Sequence, residues 1–200
     1  MSIHLSHTDR FTHPNPAPTD SSLGFTAIEL MTTLVIAMVL LAIAIPSFSR
    51  MTAQNHLATT ANDFVAAFAL ARQLAVAKGR PVTLCAGDQS GCFASVDWSK
   101  GWLAFVDADK SGTLDADEQI LFTGIARRDD VVVQGNTPVE KPIIFSPLGF
   151  ASQPGGAFTA GTLRVCVPAD IANNARDLVL AKSGRLRVEA KDLNGACPNP

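Results

Sequence analysis

Apolar positions follow two regimes along this chain: a nearly unbroken run over residues 25–45, then spaced patterns from residue 51 onward. The run holds 21 residues and one charge, Glu29. At about 1.5 Å per residue it makes a helix of roughly 32 Å, close to the ~30 Å hydrocarbon core of a bilayer. Over residues 51–78, Leu57, Ala61, Phe64, Phe68, Ala71 and Ala75 recur at three- and four-residue steps, which predicts that the helix continues with one apolar face. Gly79-Arg80-Pro81 ends it, because glycine accepts the left-handed cap and proline cannot continue a helix. Short β-rich runs follow, at 82–85, 101–106, 119–122, 131–134, 143–145, 162–167, 178–181 and 185–188, and the Gly-rich stretch 153–161 reads as a loop. The pattern predicts an α+β fold: one long N-terminal helix, first membrane-spanning and then amphipathic, packed on an antiparallel β-sheet domain.

Glu29 is the exception inside the apolar run, and a carboxylate at that depth points to function. The string Gly24-Phe25-Thr26-Ala27-Ile28-Glu29, a glycine followed by phenylalanine with glutamate as the fifth residue after the glycine, resembles the processing site of type IV prepilins. The resemblance implies cleavage between Gly24 and Phe25 by prepilin peptidase and N-methylation of Phe25. It also implies that Glu29 pairs with the new amino terminus of a neighbouring subunit and sets the register of stacked helices, since neither charge is stable alone in hydrocarbon. Pro46, about one membrane length on, fits the same pattern. An ordinary signal peptide ending at Ala42-Ile43-Ala44 fits worse: it would run past forty residues, and Glu29 would interrupt its apolar part. The expected organisation is a leader over 1–24, a transmembrane helix over 25–48, an amphipathic periplasmic helix over 49–78 and a β-rich domain over 79–200.

Composition adds little until it is mapped. The 200 residues carry 16 Lys and Arg against 18 Asp and Glu. Arg10, Asp9 and Asp20 lie in the leader, so the mature chain is close to neutral. The charge is unevenly placed: residues 107–118 hold five acids and one lysine, whereas residues 164–191 hold six bases (Arg164, Arg176, Lys182, Arg185, Arg187, Lys191) against three acids. A basic region on a neutral protein implies a local anion-binding surface. Four cysteines lie beyond the apolar run, and in a periplasmic domain an even number favours disulfides. Three pairings exist; Cys85 with Cys92 closes a short Gly-containing loop, and Cys166 with Cys197 ties the last segment to the body. A zinc site is disfavoured because the spacings lack tight C-x₂₋₄-C knuckles.

Ala71-Arg72-Gln73-Leu74-Ala75, Gly79, Val82-Thr83-Leu84-Cys85, Trp98, Gly101-Trp102-Leu103-Ala104-Phe105-Val106-Asp107 and Phe145-Ser146-Pro147-Leu148-Gly149 together resemble the GspH/FimT family of minor pilins and pseudopilins. The resemblance implies an inner-membrane, single-pass protein with a periplasmic domain, incorporated with other pilins or pseudopilins into a filament. Within this family Gly184-Arg185-Leu186-Arg187 resembles the GRxR motif of DNA-binding minor pilins. Strand alternation directs Leu186 and Val188 to the core and Arg185 and Arg187 to the opposite face, with Lys182 before and Lys191 after them extending a basic strip along a phosphate backbone. Three or four phosphate contacts give sequence-independent binding whose log K falls by about 0.9 per contact per log unit of salt. No recognition helix or base-stacking aromatic cluster accompanies the arginines in sequence. Two arginines on an edge strand also serve to block aggregation, which needs no ligand.

Residues 107–118 match a twelve-residue calcium loop as a string, with Asp107, Asp109, Ser111 and Asp115 at oxygen positions, Gly112 at the sixth and Glu118 at the twelfth. The flanks read as strands rather than helices, so a solvated hairpin loop without a cofactor is the expected reading. Of four histidines, His4, His7 and His13 belong to the leader, and His56 lies on the long helix. With no Gly-rich phosphate loop or nucleophile motif either, the chain reads as a structural and binding protein rather than an enzyme. The expectation is a type IV pilus minor pilin that binds DNA for natural transformation; a type II secretion pseudopilin is the alternative.

Overall fold

A computed structural model of the chain describes residues 24–94, 97–125 and 130–200. It divides into two compact units, Met1–Ala42 and Ile43–Pro200. The expected leader, apart from Gly24, lies outside the described residues. In the first unit residues 27–42 are helical, mostly apolar and exposed. The helix, α1 (Ala27–Lys78), is the one element among the described residues long and apolar enough to cross a membrane. Thr26 caps it: its hydroxyl accepts the amide N–H of Glu29 at 3.3 Å, and its carbonyl accepts that of Leu30. Glu29 therefore occupies the third position of a Thr-x-x-Glu start, where a carboxylate also meets the positive end of the helix dipole.

In the second unit α1 buries Leu57, Ala61, Phe64, Phe68, Ala71 and Ala75, the face set by their spacing. It ends at Gly79, whose φ of +63° is the left-handed cap. Ten strands follow among the described residues: β1 (Val82–Asp88), β2 (Gly91–Cys92), β3 (Trp102–Val106), β4 (Ile120–Gly124), β5 (Val132–Gly135), β6 (Ile143–Phe145), β7 (Ala151–Ser152), β8 (Gly161–Cys166), β9 (Ala175–Leu180) and β10 (Leu186–Lys191). A short helix, α2 (Thr137–Glu140), joins β5 to β6. All pairings are antiparallel. One sheet runs β4-β3-β1-β6-β7 with β2 hairpinned onto β1; the other runs β10-β9-β8-β5.

One core joins the α1 face to both sheets, through Val82, Leu84, Trp98, Trp102 and Phe145 on one side and Val133, Leu163, Val165, Leu178 and Leu180 on the other. Aromatic rings mark the contact: Phe64 lies 4.5 Å from Trp102 and 6.0 Å from Trp98, and Phe68 meets Phe145 edge-on at 6.4 Å. The buried Trp98 indole donates to the Val139 carbonyl at 3.2 Å, so its one polar atom is satisfied. On the far side of the first sheet Cys85, Leu103 and Phe105 form a second, smaller core with Cys92 and Leu114 against it. The chain closes both disulfides, Cys85–Cys92 and Cys166–Cys197. His56 on α1 meets Asp130 at 2.6 Å, tying the helix to the segment that enters β5.

Candidate functional site

The hairpin between β9 and β10 is the centre of the basic region. Its turn closes through the Gly184 N–H on the Ala181 carbonyl at 2.8 Å and the Ala181 N–H on the Arg185 carbonyl at 2.9 Å. Gly184 has a φ of +71°, and a Cβ there would lie 2.2 Å from the Gly149 carbonyl oxygen and 3.0 Å from the Arg72 side chain. Glycine is thus required twice over, by the backbone conformation and by the space. Arg72 reaches up from α1 and donates through Nε to the same Gly149 carbonyl at 3.0 Å. The Ala151 N–H binds the Lys182 carbonyl, so the turn is fastened to the first sheet as well as to the helix. What the turn shows to solvent is Lys182 and Arg185.

Beyond the turn, the register separates two faces of the edge strand β10. Leu186 and Val188 lie opposite Leu180 and Leu178 on the core side, while Arg187, Glu189 and Lys191 lie opposite Val179, Asp177 and Ala175 on the outer side. Leu186 is half-buried against the core. Val188, expected in the core, is 46% exposed, in keeping with its place on the edge strand of the sheet. The expected basic strip is also interrupted. Glu189 pairs with Arg187 at 2.6 Å and with Lys191 at 3.3 Å, so both cations already face a carboxylate.

Two more of the six bases are engaged away from any ligand. Arg164 grips Asp177 with Nε at 2.7 Å and Nη2 at 2.9 Å, and donates from Nη1 to the Pro198 carbonyl. The hydrogen bond to Asp177 holds the guanidinium still more firmly protonated than usual. The Cys166–Cys197 bond draws residues 197–199 over this pair. Arg176 caps the carbonyls of Asn173 and Ala175. Of the six bases in residues 164–191, the two exposed ones without a carboxylate against them among the described residues, Lys182 and Arg185, therefore lie at the turn rather than along the strand.

The acidic loop is folded by its own carboxylates. Asp107 is fully buried, and its carboxylate accepts the Thr83 hydroxyl at 2.5 Å and the N–H groups of Ser111 and Gly112 at 3.1 and 3.0 Å. Asp109 accepts the Ser111 N–H at 3.0 Å, and this bond holds its carboxyl below the usual range. Glu118 accepts from Ala108 and Asp115. Carboxylate oxygens of Asp107, Asp109 and Glu118 lie within 4.8 Å of one another, and each carboxylate also accepts backbone N–H groups that fold the loop. Asp115 takes no part in that cluster.

The family model for type II transport protein GspH matches residues 60–184, well over half of the chain. The chain belongs to the GspH family. Two crystal structures of the Pseudomonas aeruginosa type IV minor pilin FimU resemble it: one at 23% identity over 70% of this chain and 92% of that one, with a TM-score of 0.53. The other aligns at 20% identity over 66% and 92%, with a TM-score of 0.46. At that identity the first likeness speaks for the pilin-like fold. No curated protein matches. The GspH match stops at Gly184, so Arg185, Arg187, Lys191 and Cys197 lie beyond it, as do Gly24, Phe25 and Glu29. The match covers most of the core and the turn glycine, and leaves the charges to be argued on their own.

Sequence reasoning missed two neighbours of the turn. Phe158, from the Gly-rich loop, has the Lys182 ammonium 5.4 Å from its ring centroid and is 69% exposed; Phe150, beside Gly149, is 45% exposed. The signal was present, as one phenylalanine shortly before the Gly-rich loop and one within it, but only the β7 pairing brings them to the turn.

Proposed function

We propose that this GspH-family protein is a minor pilin of a type IV pilus. In this reading it is cleaved after Gly24 and methylated on Phe25, is held in the inner membrane by the apolar part of α1, and assembles through Glu29. Its β-domain binds DNA without sequence preference during uptake. The role is structural and non-enzymatic. The observation that carries the DNA reading is the β9–β10 turn, which exposes Lys182 and Arg185 with Arg187 one step further. Such a surface suits phosphates, which bind by charge and not by sequence. The FimU likeness supports the pilin-like fold, which the pilus and secretion readings share. The second reading, a pseudopilin of a type II secretion filament, is favoured by the description of the matching family and by Glu189, which draws two of the strand's cations away from a ligand.

Fluorescence anisotropy of a labelled 30-base-pair duplex with the full chain in neutral detergent tests the proposal. Binding should weaken with salt, by about 0.9 log units per contact per log unit of salt. It should fall by about tenfold or more in Arg185→Ala/Arg187→Ala, and strengthen in Glu189→Gln, which releases Arg187 and Lys191. No salt-sensitive binding at low ionic strength would leave these charges as solvated edge residues and move the assignment to secretion.

A further inference from the structure

Three segments meet at the basic turn: α1 through Arg72, the loop after β6 through Gly149 and Ala151, and the Gly-rich loop through Phe158. Over residues 64–78, 142–163 and 178–188 these segments contain no Asp or Glu. Large apolar side chains stand exposed on these segments: Leu148 at 79%, Phe158 at 69% and Phe150 at 45%. The hairpin geometry explains the rings. The Thr159 N–H binds the Ala151 carbonyl and the Gln153 N–H binds that of Ala157, which sets Ser152 opposite Phe158. Ala151 and Thr159 then point inward and are buried, while Ser152 and Phe158 point outward; Phe150, two residues before Ser152, follows the outward parity.

Resting on the DNA reading above, we infer that the turn takes single-stranded nucleic acid, with an unpaired base stacked on Phe158 and a second on Phe150, and with phosphates held by Lys182 and Arg185. Exposed aromatic rings interleaved with cations are how non-specific single-strand binders work, since every base has a face to stack and every linkage a charge to neutralise. A duplex uses only half of this surface, because its base faces are already covered by their neighbours. The Lys182 ammonium lies over one face of the Phe158 ring, 5.4 Å from its centroid, so a base stacks on the other face of this exposed ring with the cation close to its phosphate. A protein partner with a plain apolar face is matched less well, because it would bury Lys182 and Arg185 with no carboxylate in these segments to compensate them.

The test compares a labelled 30-nucleotide strand of mixed sequence with its 30-base-pair duplex, by anisotropy, on the full chain in detergent. The single strand should bind more tightly than the duplex. Phe158→Leu, which keeps an apolar side chain but removes the stacking face, should weaken the strand by about tenfold and leave the duplex within about twofold; Phe158→Trp should retain or improve strand binding. Phe150→Leu should act in the same direction. If the duplex binds in a salt-sensitive, Arg185-dependent way while Phe158→Leu leaves the strand unaffected, stacking is overturned and the DNA reading stands. Were neither to bind, the DNA reading would fall and this inference with it. Equal losses for strand and duplex in Phe158→Leu, accompanied by a lower melting temperature, would mark the ring as part of the fold and overturn its role as a platform.

Discussion

Gly184 holds a position that no residue with a Cβ can take without displacing the Gly149 carbonyl or Arg72. Its two neighbours in the motif are of another kind: Arg185 and Arg187 are exposed, and Arg187 has 72% of its side chain in solvent. Stability measurements should separate them. Gly184→Ala combines a left-handed backbone with a clash and should cost about 1–3 kcal/mol, a loss of several degrees in melting temperature for a domain of this size. Arg185→Ala and Arg187→Ala should stay within about 0.5 kcal/mol of wild type, as exposed substitutions do. An unchanged melting temperature in Gly184→Ala would mean that the turn is looser than its packing indicates. A binding defect in Gly184→Ala reports on the turn's shape, whereas one in the arginine variants reports on charge.

Among the elements, the edge strand β10 depends on what lies across its outer side. The Cys166–Cys197 bond spans 31 positions and brings the last residues over Arg164 and Asp177; Cys85–Cys92 spans only 7. Loop-closure entropy makes the longer bridge worth about 3–4 kcal/mol and the shorter about 2.5. Urea unfolding of Cys166→Ser/Cys197→Ser should therefore show a larger loss than Cys85→Ser/Cys92→Ser, and the reverse order would show that local strain or packing outweighs chain entropy. The eight expected strands and the apolar face of α1 were legible because alternation and three-to-four spacing are local signals. β2, β7 and α2 were not, being two to four residues long and defined only by their partners. Val188 and Glu189 mark a third kind of miss. Alternation placed Val188 on the right face, but the extent of the core and the pairing of Glu189 with both basic neighbours are properties of the assembled sheet. Phe150 and Phe158 reach the turn by long-range pairing alone.

At the scale of the whole domain, the acidic loop and the basic turn divide the charge. The loop is held by its own hydrogen bonds, from Thr83, Ser111 and Gly112 to Asp107 and from Ser111 to Asp109, so a chelator should leave the melting temperature unchanged. A fall of several degrees with chelator, restored by calcium, would overturn that. Acid should act where the chelator does not. Hydrogen bonds from Ser90 and Ser111 hold the carboxyls of Asp88 and Asp109 below the ordinary value of ~3.9. Their contribution is complete above that value and is lost as pH falls through the lower folded-state values, so the melting temperature should be flat down to about pH 4 and decline below it. The packing of Gly184 against Gly149 and Arg72 also bears on how this chain would diverge from its kin. A descendant that bound nothing would still have to keep glycine at 184, while 185 and 187 would be free to drift. Two lineages of this fold with different ligands would share the glycine and part company one residue later, so it is the arginines, and not the motif as a string, that carry a record of what the surface was selected to hold.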